Sequence, residues 1–183
     1  MFKGIVVGFI LGVIVLAGGA YYYFASGMAP VATADPMMPF ERKMANLALK
    51  AHIQKQNVGD SPVPADEPNL LAGADTYRME CAVCHGLPNR PVDYATMMFP
   101  KPPQLFKGKG VTDDPVATSY WKVTNGIRLS GMPAFQTQLS DTQIWQVSQL
   151  VAHANELPAS VKDSLEPDAR ASPATSTSAP AHK

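Results

Sequence analysis

Residues Arg78 to Pro88 read RMECAVCHGLP, and they hold both cysteines of the chain, Cys81 and Cys84, with His85 directly behind the second. The segment before them, about Leu70 to Val83, reads as a helix that runs into Cys84. A structural disulfide would have no use for His85. A thioredoxin-like redox pair would follow a strand of a βαβ unit, and no stretch of this chain alternates as a strand does. A zinc site would need a further Cys or His pair, and none exists.

Cys-x-x-Cys-His is the attachment signature of a c-type haem, and its spacing has a physical basis. At a helix end, positions i and i+3 face the same way, so Cys81 and Cys84 can reach the two vinyl groups of one porphyrin as thioethers. His85 then projects its imidazole at the iron from one face. A single such motif implies one covalent haem c. The iron takes a second ligand, and NGIRLSGMPAF, Asn125 to Phe135, offers Met132. A thioether is a soft ligand that favours Fe(II). Met97 and Met98 compete with it, and methionine commonly serves as core filler. Gly131, which permits close approach, and Pro133, which stiffens the loop, favour Met132.

Two helices flank that loop. DDPVATSYWKVTNG predicts one, with Asp113 or Asp114 as N-cap, Pro115 in the first turn and Asn125-Gly126 as the stop. SDTQIWQVSQLVAHANELP predicts the other, with a Ser140/Gln143 capping box and Pro158 at its end. Ile144, Val147, Leu150 and Val151 form its apolar stripe, flanked by Trp145.

At the N-terminus, Gly4 to Ala25 is an uncharged apolar run ending in Tyr21, Tyr22, Tyr23 and Phe24. A helix rising about 1.5 Å per residue crosses a bilayer core of about 30 Å over this length. Lys3 precedes the run and no further Lys or Arg appears before Arg42, which puts the N-terminus in the cytoplasm. A signal peptide cleaved near Ala32 to Ala34 is the competing reading; the length of the run favours an anchor. Met38 to Gln56 is expected to form an amphipathic helix on Phe40, Met44, Leu47 and Ala51, with Pro39 in its first turn. A Pro-rich linker follows. The expected division is therefore 1–3 cytoplasmic, 4–25 transmembrane, 26–68 amphipathic helix and linker, 69–158 haem domain and 159–183 disordered tail. Asp168 to Lys183, rich in Ala, Ser, Thr and Pro, cannot offset its ordering entropy by burial.

The stretch from about Asn69 to Leu157 resembles a class I cytochrome c. Gly73, Tyr77 and Cys81 stand at i, i+4 and i+8, like the family's first helix, where a glycine and an aromatic interlock with the last helix. Leu150, with Trp145 nearby, would be the matching face. KPPQLF resembles the family's Pro-x-Leu segment. By that likeness the Pro103 carbonyl accepts the Nδ1 proton of His85, and Leu105 packs on the haem face. Trp121 and Tyr120 resemble aromatics that contact the haem or its propionates, with ordinary core packing as the alternative. Arg128 is a candidate propionate partner or a plain surface arginine. The implied fold class is all-α: a cytochrome c-like domain preceded by one transmembrane helix and an amphipathic helix.

Lys+Arg and Asp+Glu both total 15 in 183 residues, which lacks the basic excess of a nucleic-acid binder. With both axial positions filled, no open iron site remains and no small-molecule substrate is expected. The chain is thus expected to carry single electrons between membrane-bound donor and acceptor complexes. Its place would be the bacterial inner membrane, with the haem domain on the periplasmic side. A permanently docked subunit of a membrane oxidoreductase is the alternative, and a gas sensor or haem enzyme the more distant one. Lys101, Lys107, Lys109, Lys122 and Arg128 suggest a basic docking surface, with scattered solvated lysines as the alternative.

Overall fold

The computed structural model describes residues 2–107 and 114–166, which fall into two units, Met1–His52 and Ile53–Lys183. The described residues form seven α-helices and contain no β-strand beyond an isolated bridge between Leu87 and Arg90. The all-α expectation is met.

In the first unit, α1 (Phe2–Ala25) buries none of its residues. It is long and apolar enough to cross a membrane, a property it shares with signal sequences. After it, the Asp35 carboxylate accepts the backbone N–H groups of Val31 and Ala32, both at 2.9 Å. Those two bonds hold its pKa below the usual value. The second helix, α2, spans Glu41–Gln56 and starts later than the sequence predicts. Phe40 has φ +66°, so the helix cannot extend back through it, and Pro39 lies outside. Met44 and Leu47 on α2 are exposed.

The second unit opens earlier than expected. Asp66 caps α3 (Glu67–Thr76) by accepting the Asn69 N–H at 3.1 Å, and Pro68 stands in the first turn rather than in a linker. The end of the supposed linker is also tied down, because Gln149 Nε2 donates to the Val63 carbonyl at 2.7 Å. The core forms where α3 crosses α6 (Asp141–Ala152). Leu70, Ala74, Tyr77, Val147, Leu150 and Val151 are buried together there. Gly73 makes the crossing possible: a Cβ at that position would collide with the carbonyl of Gln146 and sit 3.2 Å from Leu150 Cβ. A smaller cluster of Phe135, Leu139 and Ile144 joins α6 to α5 (Val116–Asn125) through Tyr120 and Val123.

Three expectations at helix ends need correction. Asp114 does not cap α5. Its carboxylate is drawn into an ion pair with Lys122 Nζ at 2.9 Å, Pro115 takes the N-cap position, and Asp113 lies outside the described residues. The Ser140/Gln143 capping box is present on α6, with bonds of 3.3 and 3.0 Å, but α6 ends at Ala152 and not at Pro158. Pro158 instead opens a further helix, α7 (Ala159–Leu165). Val161 and Leu165 of α7 are fully buried in the α3–α6 core. The disordered tail therefore cannot begin at 159, because Val161 and Leu165 are folded into the core. The rest of that stretch, 167–183, lies outside the described residues.

Candidate functional site

The first helix of the second unit does not run evenly into the cysteines. Its geometry widens over Tyr77–Cys81, where the Ala82 N–H reaches back five residues to the Tyr77 carbonyl. A short helix, α4 (Ala82–His85), then carries the motif. One extra residue in a turn rotates all that follows by roughly 100°. Gly73 and Tyr77 can therefore serve the α6 contact while Cys84 and His85 face elsewhere. Tyr77 anchors this junction. Its hydroxyl donates to the Gly86 carbonyl at 2.7 Å, and the Phe106 ring meets it edge-on at 4.9 Å.

Gly86 ends α4 with φ +74°, and a Cβ there would meet the Arg90 carbonyl at 2.8 Å and the Gln104 side chain at 3.0 Å. The chain thus folds tightly back and brings Pro103 to the motif. His85 Nδ1 lies 2.8 Å from the Pro103 carbonyl oxygen. A carbonyl only accepts, so Nδ1 carries the proton and Nε2 keeps its lone pair for a metal. Burial lowers the His85 pKa, and the bond to Pro103 opposes this, so the ring is a neutral donor at neutral pH. Leu105 and Phe106, half-buried, pack with Cys81 against the core. Burial, then Glu80 and Cys84, pushes the Cys81 thiol up to about 12. Both cysteines are free thiols.

Met132 sits on a separate loop that hydrogen bonds hold in shape. Gly126, with φ +68°, ends α5, and a Cβ on it would meet the Met132 carbonyl oxygen at 2.8 Å. The Ile127 N–H donates to that carbonyl at 3.2 Å, and the Met132 N–H donates to Ser130 Oγ at 3.2 Å. Gly126 is thus a point of close backbone approach within the loop itself. At Gly131 a Cβ would collide with the methyl group of Met98, which packs against this loop. Met97 beside it is exposed.

Among the remaining candidates, Trp121 is half-buried and its carbonyl accepts from Asn125 Nδ2 at 3.0 Å. Tyr120 is committed to packing: it stacks on Trp145 at 3.8 Å and donates its hydroxyl to Asp141. That bond, followed by burial, raises its pKa. Trp145 thereby faces α5, and Leu150 supplies a side-chain contact at Gly73. Arg128 is exposed on the Met132 loop. Of the expected basic surface, Lys101 and Lys107 are exposed, Lys122 is paired with Asp114, and Lys109 lies outside the described residues.

The fit to a covalent haem rests on the donor set. Two thiols stand at i and i+3, an imidazole has Nδ1 already committed, and a thioether lies on a hydrogen-bonded loop. No three His, Cys, Asp or Glu side chains among the described residues cluster as a metal cage would require. Sequence reasoning missed the Tyr77–Gly86 bond and the Met98–Gly131 contact. Nothing in local spacing announces either one.

The chain is similar to several known proteins. The family model described as cytochrome C oxidase, cbb3-type, subunit III matches residues 68–151. Cytochrome c6 of Limnospira maxima is 35% identical over 88 residues, which are 48% of this chain and 96% of that protein. A chain of the reducing HAO-like protein complex of Kuenenia stuttgartiensis is 28% identical, with a TM-score of 0.45 over 51% of this chain. The match spans 46%, about half, of that solved chain.

Proposed function

The chain belongs to the class I c-type cytochromes, electron-carrying haem proteins, and from that premise we propose a membrane-tethered carrier with one covalent haem. Cys81 and Cys84 would hold it as thioethers, and His85 and Met132 would ligate its iron. Bound there, haem supplies a reversible one-electron couple at iron. The rest is the work of this chain's residues. The Pro103 carbonyl, as acceptor from His85 Nδ1, fixes the ring's tautomer and strengthens its donation. Cys81 and Cys84 would each add S–H across a vinyl group, which forms the two thioethers with no atom lost. Leu105 would cover one side of the haem, and Trp121 and Arg128 would attend its propionates. With Met132 also bound to the iron, no position would be open to a substrate.

The observation that carries this reading is the 2.8 Å approach of His85 Nδ1 to the Pro103 carbonyl, directly behind two thiols at i and i+3. Two measurements test it. Haem peroxidase staining should survive denaturing electrophoresis and vanish in the Cys81→Ala/Cys84→Ala double variant. Oxidised wild type should be low-spin, with the near-infrared band of methionine on Fe(III). Met132→Ala should lose that band, lower the reduction potential and admit carbon monoxide, while Met97→Ala and Met98→Ala keep the band. Loss of the band in either of those two, and not in Met132→Ala, overturns the ligand assignment.

The tether rests on α1, whose 24 residues span about 36 Å. Tethering keeps the haem domain near membrane redox complexes at high effective concentration. It places that domain on the periplasmic face of a bacterial inner membrane, where thiols and haem are joined. Mature protein that begins near Met1 and stays with membranes after a salt wash supports the tether. Mature protein that starts beyond Ala34 identifies α1 as a signal sequence. The match to a model named for an oxidase subunit favours one second reading, a permanently docked subunit. Purification in mild detergent separates the two: a lone protein is the carrier, a stable complex the subunit.

A further inference from the structure

The exposed apolar surface of α1 does not stop where that helix ends. Met28, Val31, Met37 and Phe40 are exposed in the connection that follows, and Met44 and Leu47 continue the set on α2. Val31 is 93% exposed and Phe40 73%. Phe40 also holds φ +66°, a left-handed conformation that an aromatic residue avoids. Neither core packing nor backbone preference accounts for such a residue in water. The connection is built of turns. The Ser26 N–H donates to the Tyr22 carbonyl at 2.9 Å, the Asp35 N–H to Ala32 at 3.0 Å and the Glu41 N–H to Met38 at 3.2 Å. Its two carboxylates are spent on its own backbone. Asp35 accepts from Val31 and Ala32, and Glu41 accepts the Met38 N–H at 3.0 Å.

The cations of α2 have no such local use. Arg42, Lys43, Lys50 and Lys55 stand against Glu41 as the one acidic residue of the helix. The ion pairs of the described residues, Arg78 with Asp75 and Lys122 with Asp114, include none of them. Met44, Leu47, Ala48 and Ala51 recur at i, i+3, i+4 and i+7, which makes one strip of the helix, and all four are exposed. Lys43 and Lys50 stand four before and three after Leu47, so they border that strip. An apolar strip edged by cations suits the headgroup layer of a bilayer. Its side chains dip into the acyl boundary while lysine stems reach back to anionic groups. A bilayer also accommodates exposed apolar groups spread from Met28 to Leu47, because it needs no socket shaped to each. We infer that α2, with the connection before it, lies along the bilayer surface and binds anionic phospholipid headgroups through Lys43 and Lys50. The inference rests on the reading of α1 as a membrane tether and adds a surface anchor to that span.

The test uses the haem-loaded full chain in phospholipid vesicles. With Cys81 and Cys84 joined to haem, an introduced cysteine is the free thiol, and its alkylation by an uncharged polyethylene-glycol maleimide is read as a gel shift. Leu47→Cys probes the apolar strip. Asn46→Cys, on the other side of α2, corrects for the effect of surface charge on any thiol. In vesicles that mix phosphatidylglycerol with phosphatidylcholine, Leu47→Cys should react roughly tenfold more slowly than Asn46→Cys. In phosphatidylcholine alone the two rates should converge. Adding Lys43→Gln and Lys50→Gln to Leu47→Cys should restore most of its rate in the anionic vesicles, at roughly fivefold per cation removed. Equal rates for Leu47→Cys and Asn46→Cys in anionic vesicles overturn the inference. So does a slow Leu47→Cys that ignores lipid charge and both lysines, because protein then covers the strip. Ile10→Cys, within α1, should not react in either vesicle. If it stays silent while Leu47→Cys reacts freely, the tether stands and the surface anchor falls. If it reacts readily, α1 is not in the bilayer, and the tether reading falls together with this inference.

Discussion

Where α3 crosses α6, side chains are fully withdrawn from water: Tyr77, Ala74 and Leu150 have no exposed surface, and Val161 and Leu165 of α7 close the same cluster. From Ala82 to Lys107, the stretch that carries Cys84, His85 and Pro103, only Gly86 and Ala95 are buried. The Met132 loop is similar, with Gly126 its one buried residue between Asn125 and Ala134. The first region is defined by apolar packing between helices. The second is defined by single hydrogen bonds across turns, such as His85 to Pro103 and Met132 to Ser130. Dense packing makes a region intolerant of added atoms throughout, whereas in turns held by bonds that intolerance is confined to close-approach glycines such as Gly86 and Gly126, and the rest depends on particular donors and acceptors.

One substitution made at both ends exposes that difference most sharply. Gly73→Ala forces a methyl group into the Gln146 backbone, which moves only if α6 moves. It should cost about 3 kcal/mol, read by chemical denaturation of the haem-loaded protein. A cost near zero would mean that the crossing is looser than its geometry. Leu165→Ala should follow, at about 2–3 kcal/mol, if α7 belongs to the packed region. Unchanged stability would return α7 to the status of an appendage. Tyr77→Phe joins the two regions, because its hydroxyl bonds the Gly86 carbonyl at the end of the haem motif. Removing it should cost about 1–2 kcal/mol, with faster amide exchange at Leu87 and Arg90. An exchange increase confined to α6 would contradict the anchoring role. The smallest effect belongs to Gly131→Ala, where the added methyl meets only the flexible end of Met98. It should cost less than about 1 kcal/mol, and a loss as large as that of Gly73→Ala would erase the distinction.

Much of the haem-bearing region was legible in the sequence because its chemistry is local. Cys81, Cys84 and His85 lie within five consecutive residues, and the Ser140/Gln143 box is a pattern four residues long. The resemblance to class I cytochromes c also carried a long-range contact, the meeting of Gly73 with Leu150, which the fold contains. α7 was not read, although Val161 and Leu165 stand four apart behind Pro158, as on one face of a short helix. Seven residues form no stable helix alone, so the signal was weak until a surface received it. Asp114 was read as a cap because caps are local. Its real partner, Lys122, lies two helical turns away.

What the sequence determined by itself is what neighbours in the chain can specify: an all-α chain, an apolar N-terminal helix, and a helix end bearing two thiols and an imidazole. Only the tertiary structure decided which groups from distant segments meet these. It brought the Pro103 carbonyl to His85, the Gly86 carbonyl to Tyr77, the Met98 methyl to Gly131 and α7 to the α3–α6 core. It also widened the turn at Tyr77–Cys81, so that one helix serves the core on one side and the motif on the other. The reason is physical. Backbone periodicity and capping act over a few residues, whereas these contacts exist only once apolar burial has closed the loops between them.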